Sequence, residues 1–260
     1  MKKSYILLPI LGIVLLSLIF VVYKRYSHKY TIVLTGASFG SWQNGWFELG
    51  TKHLDAKALN RAVESETIAD SANKIANGEL YSTEELEEMD ALVIMQVHDR
   101  DVAEFDSLKV EYTDYELPFD RYKANYSQAY DYIIKRYMTD CYNLKFDEKS
   151  KYFNTSTGKP AVIVLSTHWN DSRETFNASI RRLGEHWGFP VVEFDKNIGF
   201  SKSAVHPVTK EQPSIMYSFN AEKKDSTFYG WHQLRGEDQH IQQRMAAIFA
   251  NTMQKILPLK

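Results

Sequence analysis

Tyr30-Thr31-Ile32-Val33-Leu34-Thr35-Gly36-Ala37-Ser38-Phe39-Gly40 joins a run of apolar and β-branched residues directly to a turn bracketed by two glycines. The first part is the pattern of a strand buried in a sheet, and the second is a tight turn at its carboxyl end. In an open parallel sheet, ligands collect outside the carboxyl ends of the strands, so Ser38 stands where a nucleophile could be used. The same serine could instead cap a following helix. That helix is expected over 42–57, where Trp46, Phe47, Leu49 and Leu54 fall at helical spacing.

Working outward, the chain alternates strand and helix patterns. Ala58 to Asn60 reads as a short second strand, and Ile68 to Ile75 as a helix fading at Asn77-Gly78. Asp90 to Val97 is a continuous apolar run of the kind buried on both faces of a parallel sheet, and it stops at His98-Asp99. Residues 102–122 are polar and aromatic without a steady period and read as an extended insertion. A helix follows over Tyr126 to Leu144, with Tyr130, Ile133, Ile134, Tyr137 and Met138 on its apolar face. Ala161 to Leu165 is a fourth strand, Thr175 to Trp187 a helix ended by Gly188, and Val191 to Phe194 a fifth strand. Asp195 to Tyr229 is rich in turn-forming residues and long enough to be functional, and Asp238 to Ile256 is the closing helix. This alternation predicts a three-layer α/β/α sandwich around a mostly parallel five-stranded sheet.

The chain has 260 residues, 44% of them hydrophobic and 25% charged, enough for one catalytic domain with a full core. A formal net charge of -2 gives no electrostatic case for binding nucleic acid, which normally calls for a basic excess. Cys141 is the single cysteine, so an intrachain disulfide and a cysteine metal cluster are both excluded. No pair of histidines shows zinc-like spacing with a third ligand, and no metal or cofactor is expected. His53, His186 and His240 fall on expected helices and read as structural. Asp99 reads as a loop-fixing residue.

Lys2 and Lys3 precede an apolar run from Tyr5 to Tyr23, and Lys24, Arg25 and Lys29 follow it. The run is about the length needed to span a bilayer as a helix, and no small-residue cleavage site precedes the charged flank. Residues 1–29 therefore read as an uncleaved membrane anchor in preference to a cleaved signal peptide. Residues 30–260 form the domain, expected on the exported side, periplasmic or extracellular.

Two families share features with the first turn. A short-chain dehydrogenase opens on a similar glycine-rich turn, but Trp42 falls near its third glycine, where indole obstructs close approach to a phosphate. The chain also holds no Tyr-x-x-x-Lys. The better match lies with the end of the chain, where Tyr229-Gly230-Trp231-His232-Gln233-Leu234-Arg235-Gly236 puts a histidine just ahead of the last helix. Here the chain resembles the SGNH, or GDSL, hydrolases. Gly36-Ala37-Ser38 stands for their Gly-Asp-Ser, Asn60-Arg61-Ala62-Val63-Glu64-Ser65 for their second block, Gln96-Val97-His98-Asp99 for their Gly-x-Asn-Asp, and Tyr229 to His232 for their Asp-x-x-His. The four blocks fall in order on predicted strand ends, over about residues 30 to 255. His206-Pro207 resembles the family's His-Pro pair superficially but lacks the final helix behind it.

The resemblance implies an SGNH/flavodoxin-like fold and a serine esterase. Ser38 would attack an ester carbonyl and His232 would take its proton. The oxyanion hole would be made by the amides of Ser38 and Ser65, with the His98 imidazole replacing the family's asparagine. Tyr229 replaces the aspartate that orients the histidine. Either the pair works as a dyad with a backbone carbonyl or another acid, Asp225 being nearest in sequence, or hydrolytic power has been lost. Phe39, Trp42, His168, Trp169 and Trp231 are the expected substrate contacts. The expected substrate is an acyl group on a carbohydrate or another envelope ester, and the contrasting expectation is a lapsed SGNH fold that binds a glycan or a partner.

Overall fold

The computed structural model describes residues 28–96, 105, 107–200 and 204–260. The expected anchor, apart from its last two residues, and His98 with Asp99 lie outside the described residues. Among the described residues, no helix is long and apolar enough to cross a membrane.

Five strands form one sheet: β1 (Tyr30–Gly36), β2 (Ala56–Asn60), β3 (Ala91–Met95), β4 (Ile163–Ser166) and β5 (Val191–Val192). Their order is β2-β1-β3-β4-β5, and every neighbouring pair is parallel. The residues of β1 and β3 are buried throughout, as continuous apolar runs require when helices cover both faces. The main helices are α1 (Trp46–His53), α2 (Ile68–Ala76), α3 (Thr83–Glu88), α4 (Tyr126–Asn143), α5 (Glu174–Trp187) and α6 (His240–Gln254).

The strand order dictates the layers. The chain leaves β1 in one direction to reach β2, then crosses back over β1 to β3 and continues the other way. Right-handed crossovers then place α1 on one face and α2, α4 and α5 on the other. The contacts agree: α1 packs on α6, α2 packs on α4, and Phe176 of α5 meets Tyr126 of α4. The order reverses between β1 and β3, and the crevice opened there is where this architecture receives ligands.

Several elements differ from the sequence reading. Met138 is 40% exposed, because Tyr130, Ile133, Ile134, Tyr137 and Cys141 already fill the buried stripe of α4 and the residue after Tyr137 is turned about 100° away from it. β5 stops at Val192, since Phe194–Asn197 turns into a short helix. α3 is a further helix between α2 and β3, opened by a reciprocal capping box of Ser82 and Glu85. The insertion is packed rather than loose at its end: Tyr115 and Phe119 are buried against Tyr132, and the Tyr115 hydroxyl donates to Asp131 at 2.6 Å. The long polar stretch contains a β-hairpin, β6 (Ala221–Lys224) with β7 (Thr227–Gly230), outside the main sheet.

Gly36 closes β1 where β1 lies against β3. Its φ is +155°, and a Cβ there would stand 2.0 Å from the Met95 carbonyl oxygen, which accepts the Ala37 amide at 3.2 Å. A side chain at this point must therefore push β1 away from β3. Gly36→Ala is expected to lower stability by about 2 kcal/mol, within the usual cost of overpacking a filled core. Urea unfolding of the two proteins measures it, and an unchanged midpoint would contradict the account of this turn.

Candidate active site

The turn that carries Ser38 is braced from three directions. The Phe39 carbonyl accepts from Trp46 Nε1 of α1 at 2.7 Å and from Gln233 Nε2 at 2.8 Å. The Gly40 carbonyl accepts from Asn60 Nδ2 at the end of β2, at 2.7 Å. Gly36 O accepts the Val63 amide at 3.0 Å, which draws the loop after β2 against the turn. Ser38 does not cap the helix after it, because α1 begins beyond Gly45 and its Trp46 amide is met by Gln242 Oε1 of α6 at 2.8 Å.

Ser38 Oγ instead meets His232 Nε2 at 2.8 Å, across 194 residues of chain. His232 follows β7, and the ladder of the hairpin extends beyond the two strands to hold it. Trp231 N donates to Asn220 O at 2.9 Å, Phe219 N donates to His232 O at 3.1 Å, and Ser218 pairs with Gln233. Asn220 also reaches the histidine by its side chain, Oδ1 accepting the His232 amide at 2.8 Å and lying 3.2 Å from Nδ1, with Nδ2 at 3.1 Å from the same ring nitrogen. The hairpin is clamped to the end of β4: Trp169 Nε1 donates to Trp231 O at 2.8 Å, and Asn170 Nδ2 donates to Gly230 O.

The imidazole of His232 lies between two phenyl rings. Phe39 stacks on one side at 4.8 Å and 15°, and Phe219 stacks at 5.4 Å and 11°. Arg235 extends this column, with its guanidinium 4.6 Å from the Phe219 ring centre, 3.8 Å from that of Trp42, and paired with Glu64 at 3.0 Å. Burial first, then the charge of Arg235, lower the pKa of His232, and Glu64 opposes them. The ring is therefore neutral at neutral pH and able to accept a proton.

The expected site residues fall into three groups. Ser38 and His232 are brought together as described. Trp42 and Trp231 are partly exposed, Trp42 under Arg235 and Trp231 under the Arg173 guanidinium at 4.0 Å. Phe39, His168 and Trp169 are buried, at 2%, 0% and 0% exposure, and so are not surfaces offered to a substrate. Phe39 packs edge to face with both His168 and Trp231, and His168 stacks on Trp231, so these rings support the turn and the hairpin from beneath. Burial, and next the charge of Arg173, hold the His168 pKa far below the ordinary value, and its Nδ1 accepts the Asn170 amide at 3.2 Å.

Ser65 is exposed at φ +65°, with its carbonyl accepting from Arg121. Asp225 is displaced from the part considered for it. It lies at the exposed turn of the hairpin, at φ +56°, five residues and about 16 Å along the strand from Asn220 at ~3.3 Å per residue. Tyr229 lies in β7 opposite Glu222. The residue at His232 Nδ1 is Asn220, which the sequence reading passed over together with Phe219, Gln233 and Arg235. The signal that could have found them is the two-residue turn Asp225-Ser226, which fixes the pairing of the flanking residues, but it is a weaker hairpin marker than Asn-Gly. Among the described residues, no cluster of histidine, cysteine, aspartate or glutamate could hold a metal ion.

Comparison with solved structures places the fold. A possible lipase from Chitinophaga pinensis DSM 2588 superposes with a TM-score of 0.51 at 13% identity, over 88% of this chain and 99% of that one. A protein assigned to the lipolytic G-D-S-L family of Desulfitobacterium hafniense DCB-2 gives 0.48 at 10% identity, over 86% and 99%. The catalytic domain of peptidoglycan O-acetyltransferase A from Streptococcus pneumoniae gives 0.42 at 16% identity, over 90% and 99%. At this identity the likeness is one of fold alone: the chain shares with the Chitinophaga pinensis structure an α/β architecture built on a parallel sheet. No curated protein matches the sequence. A family model described as "Domain of unknown function (DUF5040)" matches residues 29–257, almost the whole described domain, and the chain belongs to that family.

Proposed function

We propose that this chain is a serine ester hydrolase in which Ser38 is the nucleophile and His232 the general base. The observation that carries the reading is the 2.8 Å approach of a neutral imidazole nitrogen to a serine hydroxyl at the switch point of the sheet. A hydroxyl is a poor nucleophile until a base takes its proton, and this contact supplies the base.

In this reading, Ser38 Oγ adds to the ester carbonyl carbon while its proton passes to His232 Nε2. The tetrahedral intermediate then collapses, the carbon–oxygen bond to the alcohol breaks, and His232 returns the proton to the departing oxygen. Water, deprotonated by the same ring, releases the acyl group from Ser38. Negative charge on the carbonyl oxygen needs donors already in place, each worth about 3 kcal/mol of barrier. The Ser38 amide, which has no acceptor among the described residues, is one, and Ser65 and His98 remain the proposed others. The amides of Ala62 and Val63 are excluded because Asn60 Oδ1 and Gly36 O already hold them.

The substrate class proposed is an acyl ester of a carbohydrate or other envelope polymer. Trp42, a partly exposed ring four residues after Ser38, supports it as an aromatic surface near the site, whereas Trp231 is already covered by the His168 ring and the Arg173 guanidinium. In the same proposal, the apolar segment from Tyr5 to Tyr23 holds the domain at a membrane on its exported side.

A fluorophosphonate probe on the full-length chain tests the chemistry. Wild type should label at Ser38, while Ser38→Ala and His232→Ala should not. A folded wild type that resists labelling would turn the reading toward a binding protein. The labelling rate should also depend on pH. Protonation disables His232, and its pKa lies below the ordinary 6.5, so the rate should hold through neutral pH and fall only in more acid solution. Arg235→Gln should move that fall to higher pH, and Glu64→Gln to lower pH. Identical profiles for all three proteins would remove these charges from the site.

A further inference from the structure

We propose that Asn220 is the positioning residue of this site: by accepting the Nδ1 proton of His232 it holds the imidazole in the tautomer whose bare Nε2 faces Ser38. The inference rests on the reading of Ser38 and His232 as nucleophile and base, and it fills the place that Tyr229 leaves open and Asp225 does not reach.

The hydrogen-bond pattern supports this assignment. The Asn220 amide is turned by the His232 backbone, whose N–H at 2.8 Å requires the oxygen, not the nitrogen, on that side. A carbonyl oxygen has two acceptor directions, so Oδ1 can also take a proton from Nδ1 at 3.2 Å. The competing arrangement has Nδ2 donate to a bare Nδ1 at 3.1 Å and leaves the ring proton on Nε2. Nε2 would then donate to Ser38 Oγ, and the Ser38 hydroxyl proton would have no acceptor among the described residues. With the proton on Nδ1, every group in the chain from Oγ–H through Nε2 and Nδ1–H to Oδ1 is satisfied.

The fold makes this contact durable. Asn220 and His232 face each other just beyond the paired ends of β6 and β7, joined by the Trp231-to-Asn220 and Phe219-to-His232 backbone bonds, so base and positioning residue are held in one backbone-bonded piece. Phe39 and Phe219 fix the plane of the ring, and Asn220 fixes which nitrogen carries the proton within that plane. Because an amide is neutral, Asn220 selects the tautomer without attracting the protonated ring as a carboxylate would.

Long-range proton–nitrogen spectra of the full-length chain near neutral pH, with the His232 signals assigned by their loss in His232→Gln, test the proposal directly. Wild type should carry the ring proton on Nδ1, and Asn220→Ala should shift it to Nε2 in most molecules. Fluorophosphonate labelling of Ser38 should fall about tenfold in Asn220→Ala, the effect of one lost hydrogen bond near 1.4 kcal/mol, in the maximal rate rather than in probe affinity. Asn220→Asp should keep the Nδ1 proton, retain labelling, and move the acid fall of the rate to higher pH, which a purely structural role would not do. A wild-type proton on Nε2, or an Asn220→Ala spectrum like wild type, would overturn the proposal. An Nδ1 proton lost in Asn220→Ala, in a protein whose serine never labels, would sustain the positioning role and sink the esterase reading alone.

Discussion

The contact between Ser38 Oγ and His232 Nε2 joins the first strand of the domain to the segment before its last helix, and much of the architecture serves to keep it at 2.8 Å. On one side, Gly36 lets β1 close against β3, so the turn leaves the sheet at a fixed angle. On the other, the hairpin ladder from Ser218 to Gln233 presents His232 from a short, independently bonded piece of sheet. The Phe39 carbonyl links the two halves, since it accepts from Trp46 of α1 and from Gln233, the residue after His232. Gln242 of α6 ties the same parts again, to the Trp46 amide and the Leu234 carbonyl. A pair of side chains so far apart in sequence is thereby held by backbone acceptors rather than by its own single bond.

The surroundings of His232 fit a base better than a cation. Two phenyl rings cover its faces, a neutral amide meets Nδ1, and Arg235 lies behind Phe219 with its charge only partly answered by Glu64. Burial and the charge of Arg235 favour the neutral ring, and Glu64 opposes them. A carboxylate at Nδ1 would instead stabilise the imidazolium that forms during attack. In the proposed esterase reading, this arrangement keeps the ring able to accept a proton over a wider acid range and gives up part of that stabilisation.

The layers were legible in the sequence because β1 and β3 are unbroken apolar runs and α4 carries a regular stripe; a strand buried on both faces has few other ways to be written. Ser38 and His232 were legible as the first and last blocks of a family pattern laid on strand ends. Asn220 was not, because its partner lies across a hairpin, and cross-strand pairing is set by the Asp225-Ser226 turn rather than by any run of residues around Asn220. The place of Phe39, His168 and Trp169 after strands points to cleft walls. Their burial depends on the hairpin covering them, a contact that no local pattern records. α3 is short, and its capping box is its strongest mark.

The most direct test of the central claim is to catch the acyl-enzyme. The full-length chain, mixed with p-nitrophenyl acetate and quenched in acid within the first turnover, would be digested and its peptides weighed. The account predicts one acetyl group on the peptide containing Ser38, absent when His232 is replaced. Release of nitrophenol with no acetyl on that peptide, or with the acetyl on another residue, would contradict it.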